Sequence, residues 1–235
     1  MTLRKLLSKT FHKLHFTRPM EFGLIIRWLS LGPQDRICDI GCGDGYWTSR
    51  LAGANRRVFG VDINPKVLTR ARSYYGQCAD FVLASAESLP FKSSTMDRLV
   101  SMCAMEHFTD DGRALREMCR ILRPKGKLGM SLDSLSLPSI PAAFKARHAR
   151  WYTVNRLYTH TSVKPLLERT GFGLLTFRYV ATSRVSGWLI RSQLERGWNL
   201  NYLAPVTLPV FRLADAISEK TDAGFIVAIA AEKNE

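Results

Sequence analysis

Arg36-Ile-Cys-Asp39-Ile-Gly41-Cys-Gly43-Asp-Gly45-Tyr-Trp-Thr-Ser-Arg-Leu51 reads as a strand, a glycine-rich turn and the start of a helix. Glycines in such a turn permit positive φ and let the backbone approach a ligand closely. The helix start behind them offers unpaired N–H groups to a negatively charged group. Working outward, short apolar runs recur at Ile37–Ile40, Val58–Val61, Phe81–Ala84, Leu99–Met102 and Leu128–Leu132. Uninterrupted runs of this kind suit parallel strands covered on both faces. Helical stretches separate them. One opens at Asn64-Pro65, a capping residue followed by proline at the first helical position, and sets Leu68, Ala71 and Tyr75 on one face. Another opens near Asp110, aligns Leu115, Met118 and Leu122, and stops before Pro124. Alternating strands and helices predict an α/β, doubly wound parallel sheet.

The loop alone leaves its ligand open, because NAD, FAD and S-adenosylmethionine sites all use one. Three residues discriminate. Tyr46 stands where a dinucleotide fingerprint places its third glycine, Asp39 would repel a pyrophosphate but could pair with an α-amino group, and Asp62, ending Val58-Phe-Gly-Val-Asp62, could accept both hydroxyls of a ribose. An amino acid joined to a nucleoside without phosphates fits this set better than a dinucleotide.

The 235 residues suggest one domain with at most a small appendage. With 46% hydrophobic and 23% charged residues, a disordered or fibrous chain is excluded. Five scattered cysteines without CxxC spacing suggest neither a disulfide framework nor a zinc site, so a reducing, cytoplasmic compartment is expected. No run approaches the roughly 18 apolar residues of a spanning helix. The net charge of +14 is concentrated in two segments: residues 1–36 carry seven Lys/Arg against two acids, and residues 140–200 carry ten against two. Such fields favour an anionic substrate, an acidic membrane surface or nucleic acid. In the first segment Leu3, Leu7, Phe11 and Leu14 fall at helical spacing among Lys5, Lys9 and Lys13. Three readings stay open for it: a membrane-surface helix, a helix packed on its own domain, or a transit segment.

Five ordered motifs make the chain resemble a class I S-adenosylmethionine-dependent methyltransferase, of the broad group that includes the ubiquinone/menaquinone and sterol methyltransferases. Asp39-Ile-Gly-Cys-Gly-Asp-Gly45 resembles the motif around the methionine part of the cofactor. Asp62-Ile63 matches the ribose acid and its neighbour, and Ser85-Ala86-Glu87-Ser-Leu-Pro-Phe91 the adenine motif. Met96 to Phe108 resembles the fourth strand with its exit loop, and Arg120-Ile-Leu-Arg-Pro-Lys-Gly126 the turn before the fifth. The resemblance implies a Rossmann-like, mostly parallel seven-stranded sheet with an antiparallel last strand. It also implies S-adenosyl-L-methionine as cofactor, held by Asp39, Gly41, Cys42, Gly43, Gly45, Asp62, Ile63, Ala86, Glu87 and Cys103.

Residues 1–235 then form one methyltransferase domain, with basic N-terminal helices at 1–34, a cofactor-binding core at 35–133 and substrate-side inserts at 134–160 and 181–223. The first insert reads as irregular, basic and aromatic. A helix is expected at Ser162–Thr170, a strand at Phe172–Val180 and the last strand at Phe225–Ala231. Methyl transfer needs the acceptor placed in line behind the methyl group, and a general base only where the acceptor loses a proton. His107 is the first candidate base, with a capping or packing role as the alternative. Glu106 is the second, as a titrating group or an orienter of backbone. Tyr158 and His160 are weaker candidates for touching the acceptor. Some relatives with Glu-His after the fourth strand bind a metal through a Glu three residues earlier; Cys103 stands there, so no metal is expected. The absence of Asn/Asp-Pro-Pro-Tyr and Pro-Cys after the fourth strand argues against base-amine and cytosine-C5 methylation. Trp188, Leu189, Ile190, Leu194, Trp198, Tyr202 and Phe211 among Arg184, Arg191 and Arg196 suggest methyl transfer to O, C or N of a small, amphiphilic or anionic, lipid-like acceptor, with peripheral contact to an anionic membrane. RNA is the rival partner, and a non-catalytic cofactor-binding subunit the non-enzyme reading.

Overall fold

The structure, a computed structural model, describes residues 17–54, 56–196, 204–217 and 222–235. The stretch with Leu3, Leu7, Phe11 and Leu14 lies outside them, as do Trp198 and Tyr202. Seven strands form one sheet in the order β3-β2-β1-β4-β5-β7-β6. They are β1 (Arg36–Ile40), β2 (Arg57–Asp62), β3 (Asp80–Leu83), β4 (Met96–Met102), β5 (Leu122–Asp133), β6 (Phe172–Val180) and β7 (Ile226–Lys233). The first five are parallel, and β7 runs antiparallel between β5 and β6. The chain winds outward from β1 through β2 to β3, then crosses back to lay β4 on the other side of β1. The strand ends at this reversal open a crevice.

Helices cover the sheet because its strands are apolar on both faces. α1 (Arg18–Leu29) lays the fully buried Ile25 and Leu29 on β5, where Gly129 makes room. α2 (Tyr46–Leu51) follows the glycine turn. α3 (Pro65–Tyr75) is capped by Asn64, whose side chain accepts from the Lys66 N–H, and buries Leu68 and Ala71. α4 (Asp111–Ile121) is capped by Asp110 and buries Leu115 and Met118. α6 (His160–Arg169) starts from a Thr159–Ser162 capping box, two residues before the expected start. The turn expected before the fifth strand is an excursion within β5, and it puts Lys125 at φ +61, the left-handed region that favours glycine.

The first insert departs from expectation. It contains a regular helix, α5 (Ala142–Tyr152), which points Phe144 and His148 inward at the i, i+4 spacing of one helical face. Its lysine and arginines sit among these residues, so charge masked the period. The second insert contributes α7 (Arg184–Arg196) and α8 (Ala204–Ile217).

Candidate active site

The glycine turn is built from backbone contacts between β1 and β2. The N–H groups of Gly41 and Cys42 both donate to Val61 O, at 2.8 and 3.0 Å. Gly41 has φ +76, and a Cβ there would lie 2.4 Å from the Ala104 Cβ, so only glycine lets the loop pass the β4 exit. Gly43 has φ +54 and faces open space, a cradle that a Cβ would fill. Gly45 serves another purpose: at its Cβ position stand Phe81 and Ala71, which pack the start of α2. The Cys42 side chain also turns into the core, leaving its backbone to the loop. Asp39 is buried beneath the turn, where Oδ2 accepts from the Thr48 hydroxyl at 2.6 Å. Burial pushes its carboxyl up to about 6, against the hydrogen bond from Thr48.

In front of the turn lies a cleft of about 380 Å³. Gly41, Asp62, Ile63, Ala86, Glu87, Cys103 and His107, all expected at the site, line it together with Ser85, Ala104 and Phe108. Asp62 accepts from the Gly43 N–H through Oδ2 and from the Asn64 N–H through Oδ1, both at 2.9 Å. Its carboxylate therefore faces the cleft in one fixed orientation. Glu87 is engaged on the loop after β4: Oε1 accepts from the N–H groups of Thr109 and Asp110, each at 2.9 Å. His107 is exposed at the mouth, with Nδ1 3.2 Å from Thr153 O. Tyr158 and His160 do not line this cleft. Tyr158 donates to Asp111 at 2.8 Å, and His160 stacks on Phe177 at 4.1 Å.

Behind Cys103, at the ends of β4 and β5, is a buried polar cluster. Cys103, Glu106 and Asp133 each present an atom within 4.8 Å of the others. Glu106, wholly buried, takes the Asp133 N–H on Oε1 at 3.4 Å, and Oε2 has no partner. Burial and the neighbouring Asp133 hold its carboxyl well above the usual carboxylate range. Glu21 of α1 accepts from Ser131 at 2.6 Å on Oε2, beside Arg18 at 3.4 Å, and Oε1 is unpartnered. Burial opposes the charge on Arg18, but the acidic groups Cys103, Glu21, Glu106 and Asp133 outweigh it and push the guanidinium further up. Cys103, Glu106 and Asp133 could surround an ion, yet the guanidinium of Arg18 already supplies a cationic neighbour. His148 lies with Nε2 2.7 Å from Asp133 Oδ2. Arg18, Glu21, Asp133 and His148 were not singled out from sequence. The Phe144–His148–Tyr152 spacing would have found the histidine, but no local pattern shows that Asp133 comes to meet it.

A family model described as a methyltransferase domain matches residues 38–130. The 2-phytyl-1,4-naphtoquinone methyltransferase of Nostoc sp. is 30% identical over 195 residues, 80% of each chain. The chain belongs to the S-adenosylmethionine-dependent methyltransferases. The methyltransferase is also 31% identical over 145 residues to the biotin biosynthesis bifunctional protein BioHC of Cellvibrio japonicus, covering 61% of this chain and 29% of that one. It spans less than half the length of the next two relatives as well. In fold it is similar to geranyl diphosphate methyltransferase in complex with S-adenosylmethionine, at a TM-score of 0.70 and 15% identity over 94% of this chain and 86% of that one. The family's cofactor fits the methyltransferase on its own geometry: the open cradle at Gly43 suits an amino-acid tail. Each oxygen of Asp62 accepts one bond and keeps a lone pair for a ribose hydroxyl.

Proposed function

We propose that the protein transfers a methyl group from S-adenosylmethionine to a small, lipid-like acceptor that carries an anionic group and is presented at a membrane surface. The observation that carries the acceptor class is a second groove of about 760 Å³ between α1, β6 and α8. Met20, Leu24, Phe177 and Val180 give it apolar walls, and Arg27, Arg178 and Arg212 outnumber Asp215 and Asp222 among its charged lining. Apolar surface with charge at the edge suits an amphiphile. The naphtoquinone relative in Nostoc, named for a phytyl-bearing substrate, supports the same class. Beside the groove, α7 and α8 expose Val185, Trp188, Val210, Leu213 and Ile217, an apolar set that suits contact with a bilayer. Among the described residues no helix is long and apolar enough to cross a membrane.

When bound, S-adenosylmethionine supplies a methyl group activated by its sulfonium. The chain's residues then have separable tasks. Gly43 and Asp62 hold the cofactor's ends, Ile63 and Phe108 cover it with apolar surface, and Cys103 belongs both to the cleft's lining and to the buried polar cluster. His107 stands at the mouth and Glu106 within the cluster, the two groups for which the sequence motif suggested proton handling. Labelled S-adenosylmethionine, incubated with the protein and an extract of its host, tests the proposal. Label in the organic phase, lost in Asp62→Ala, is expected. Label in the nucleic-acid fraction would overturn the acceptor class.

A further inference from the structure

We infer that His148 is the base of the acceptor site and Asp133 its positioning residue, for an acceptor whose reacting oxygen carries a proton, such as a phenol or enol. This rests on the methyl-transfer reading above and names its substrate chemistry. With Asp133 ionised the carboxylate can only accept, and with the imidazole neutral the 2.7 Å contact then calls for the proton on Nε2, an assignment the spectra below test. Nδ1 is thereby left as a bare lone pair. It is buried and has no partner, and His148 is only 5% exposed. A desolvated acceptor of this kind is completed by a donor from outside the protein. His107, by contrast, is exposed and has its Nδ1 beside Thr153 O.

The surroundings select the same chemistry. Glu21 and Arg18 approach from α1, Cys103 and Glu106 from the end of β4, Ser131 and Asp133 from β5, and Tyr152 lies 4.8 Å from the His148 ring on α5. Glu21 Oε1 and Glu106 Oε2 are unpartnered there too. A carboxylate or phosphate brought to this point would meet Glu21, Glu106 and Asp133 against the single guanidinium of Arg18, whereas a neutral hydroxyl can give its proton to Nδ1. The anionic group of the acceptor belongs at the arginine rim instead. In the step, the acceptor's O–H bond breaks and its proton passes to Nδ1, forming an imidazolium held by Asp133. The oxygen uses the freed pair to bond the methyl carbon, and the pair of the broken methyl–sulfur bond stays on sulfur.

The test uses the whole protein labelled with ¹⁵N-histidine and 4-nitrophenol as probe. Long-range correlation spectra are expected to show His148 protonated on Nε2 and bare on Nδ1, with 4-nitrophenol shifting Nδ1. Asp133→Asn should abolish that response. A proton on Nδ1, or an Nδ1 resonance indifferent to the probe, overturns the inference without relying on any variant's folding. In the labelled-methyl assay, His148→Gln should lower kcat about 100-fold or more while cofactor affinity is unchanged. Undiminished turnover in a folded His148→Gln overturns the inference and leaves methyl transfer standing. No turnover by the unaltered protein, with cofactor bound, overturns the methyl-transfer reading instead, and the spectra still decide the role of His148.

Discussion

Asp39 shows what a buried carboxylate costs at the scale of one residue. It sits 3% exposed under the glycine turn, and burial raises its carboxyl to about 6. A raised acid pKa means the folded state binds the proton more tightly than the unfolded one. Stability therefore falls as pH rises from about 4 to about 6 and stays low above that. Asp39→Asn removes the buried charge and is expected to raise stability at pH 8 by about 3 kcal/mol, with little effect at pH 4. Thermal unfolding at the two pH values checks this; a lower Tm at pH 8 would show that the Thr48 hydrogen bond outweighs burial. The same variant should bind S-adenosylmethionine more weakly by calorimetry, since Asp39 was expected from its position to pair with an α-amino group. Most of the cleft was legible at this scale, because Gly41, Asp62 and Ala86 belong to motifs contiguous in sequence. His148 and Asp133 were not, because their partnership exists only once α5 folds back over the end of β5.

Elements test the packing argument. At β5, Gly129 leaves space for α1: a Cβ would come 2.6 Å from Ile25 and 3.2 Å from Leu29. Gly129→Ala is expected to destabilise by about 1–3 kcal/mol, seen as a lower urea midpoint with unchanged slope. Because α1 also carries Arg18 and Glu21, this change should disturb the buried cluster as well. Lys125 presents the opposite case. Held at φ +61 in an exposed turn, it occupies a conformation in which L side chains are strained. Lys125→Gly is expected to stabilise by about 0.5–1 kcal/mol by the same measurement, and its exposed ion pair with Glu235 contributes little. The parallel strands could be read from sequence because burial on both faces leaves an uninterrupted apolar run. α5 could not, because only Phe144 and His148 turn fully inward while Lys145, Arg147 and Arg150 crowd the same stretch of sequence. The strand at Phe172–Val180 matches the structure at both ends because Gly171 and Ala181, each at positive φ, break the chain there.

The distribution of charge and apolar surface makes predictions about the whole molecule. Arg191, considered from sequence as a contact with anionic lipid, is paired with Glu195 within α7. The rim of the large groove instead brings together Arg27, Arg178 and Arg212 from three elements far apart in the chain. Arg178→Glu with Arg212→Glu is expected to raise KM for an anionic amphiphile at least tenfold and to change kcat little. Added salt should weaken the unaltered protein in the same direction. Trp188→Ser with Leu213→Ser is expected to abolish flotation with phosphatidylglycerol vesicles without lowering Tm, since both side chains are half or more exposed. Retained flotation would remove the bilayer from the proposal.

The position of β7 has a further consequence for biosynthesis. This strand, from residue 226 onward, inserts between β5 and β6 and pairs with both along most of their lengths. Until this strand has emerged from the ribosome, the nascent chain presents two hydrogen-bonding strand edges facing an empty slot, on a sheet whose buried residues are apolar. Such edges recruit other chains. A product ending at Gly224 should therefore accumulate in aggregates or on chaperones, and adding residues 225–235 as a separate peptide should return it to solution by filling the slot.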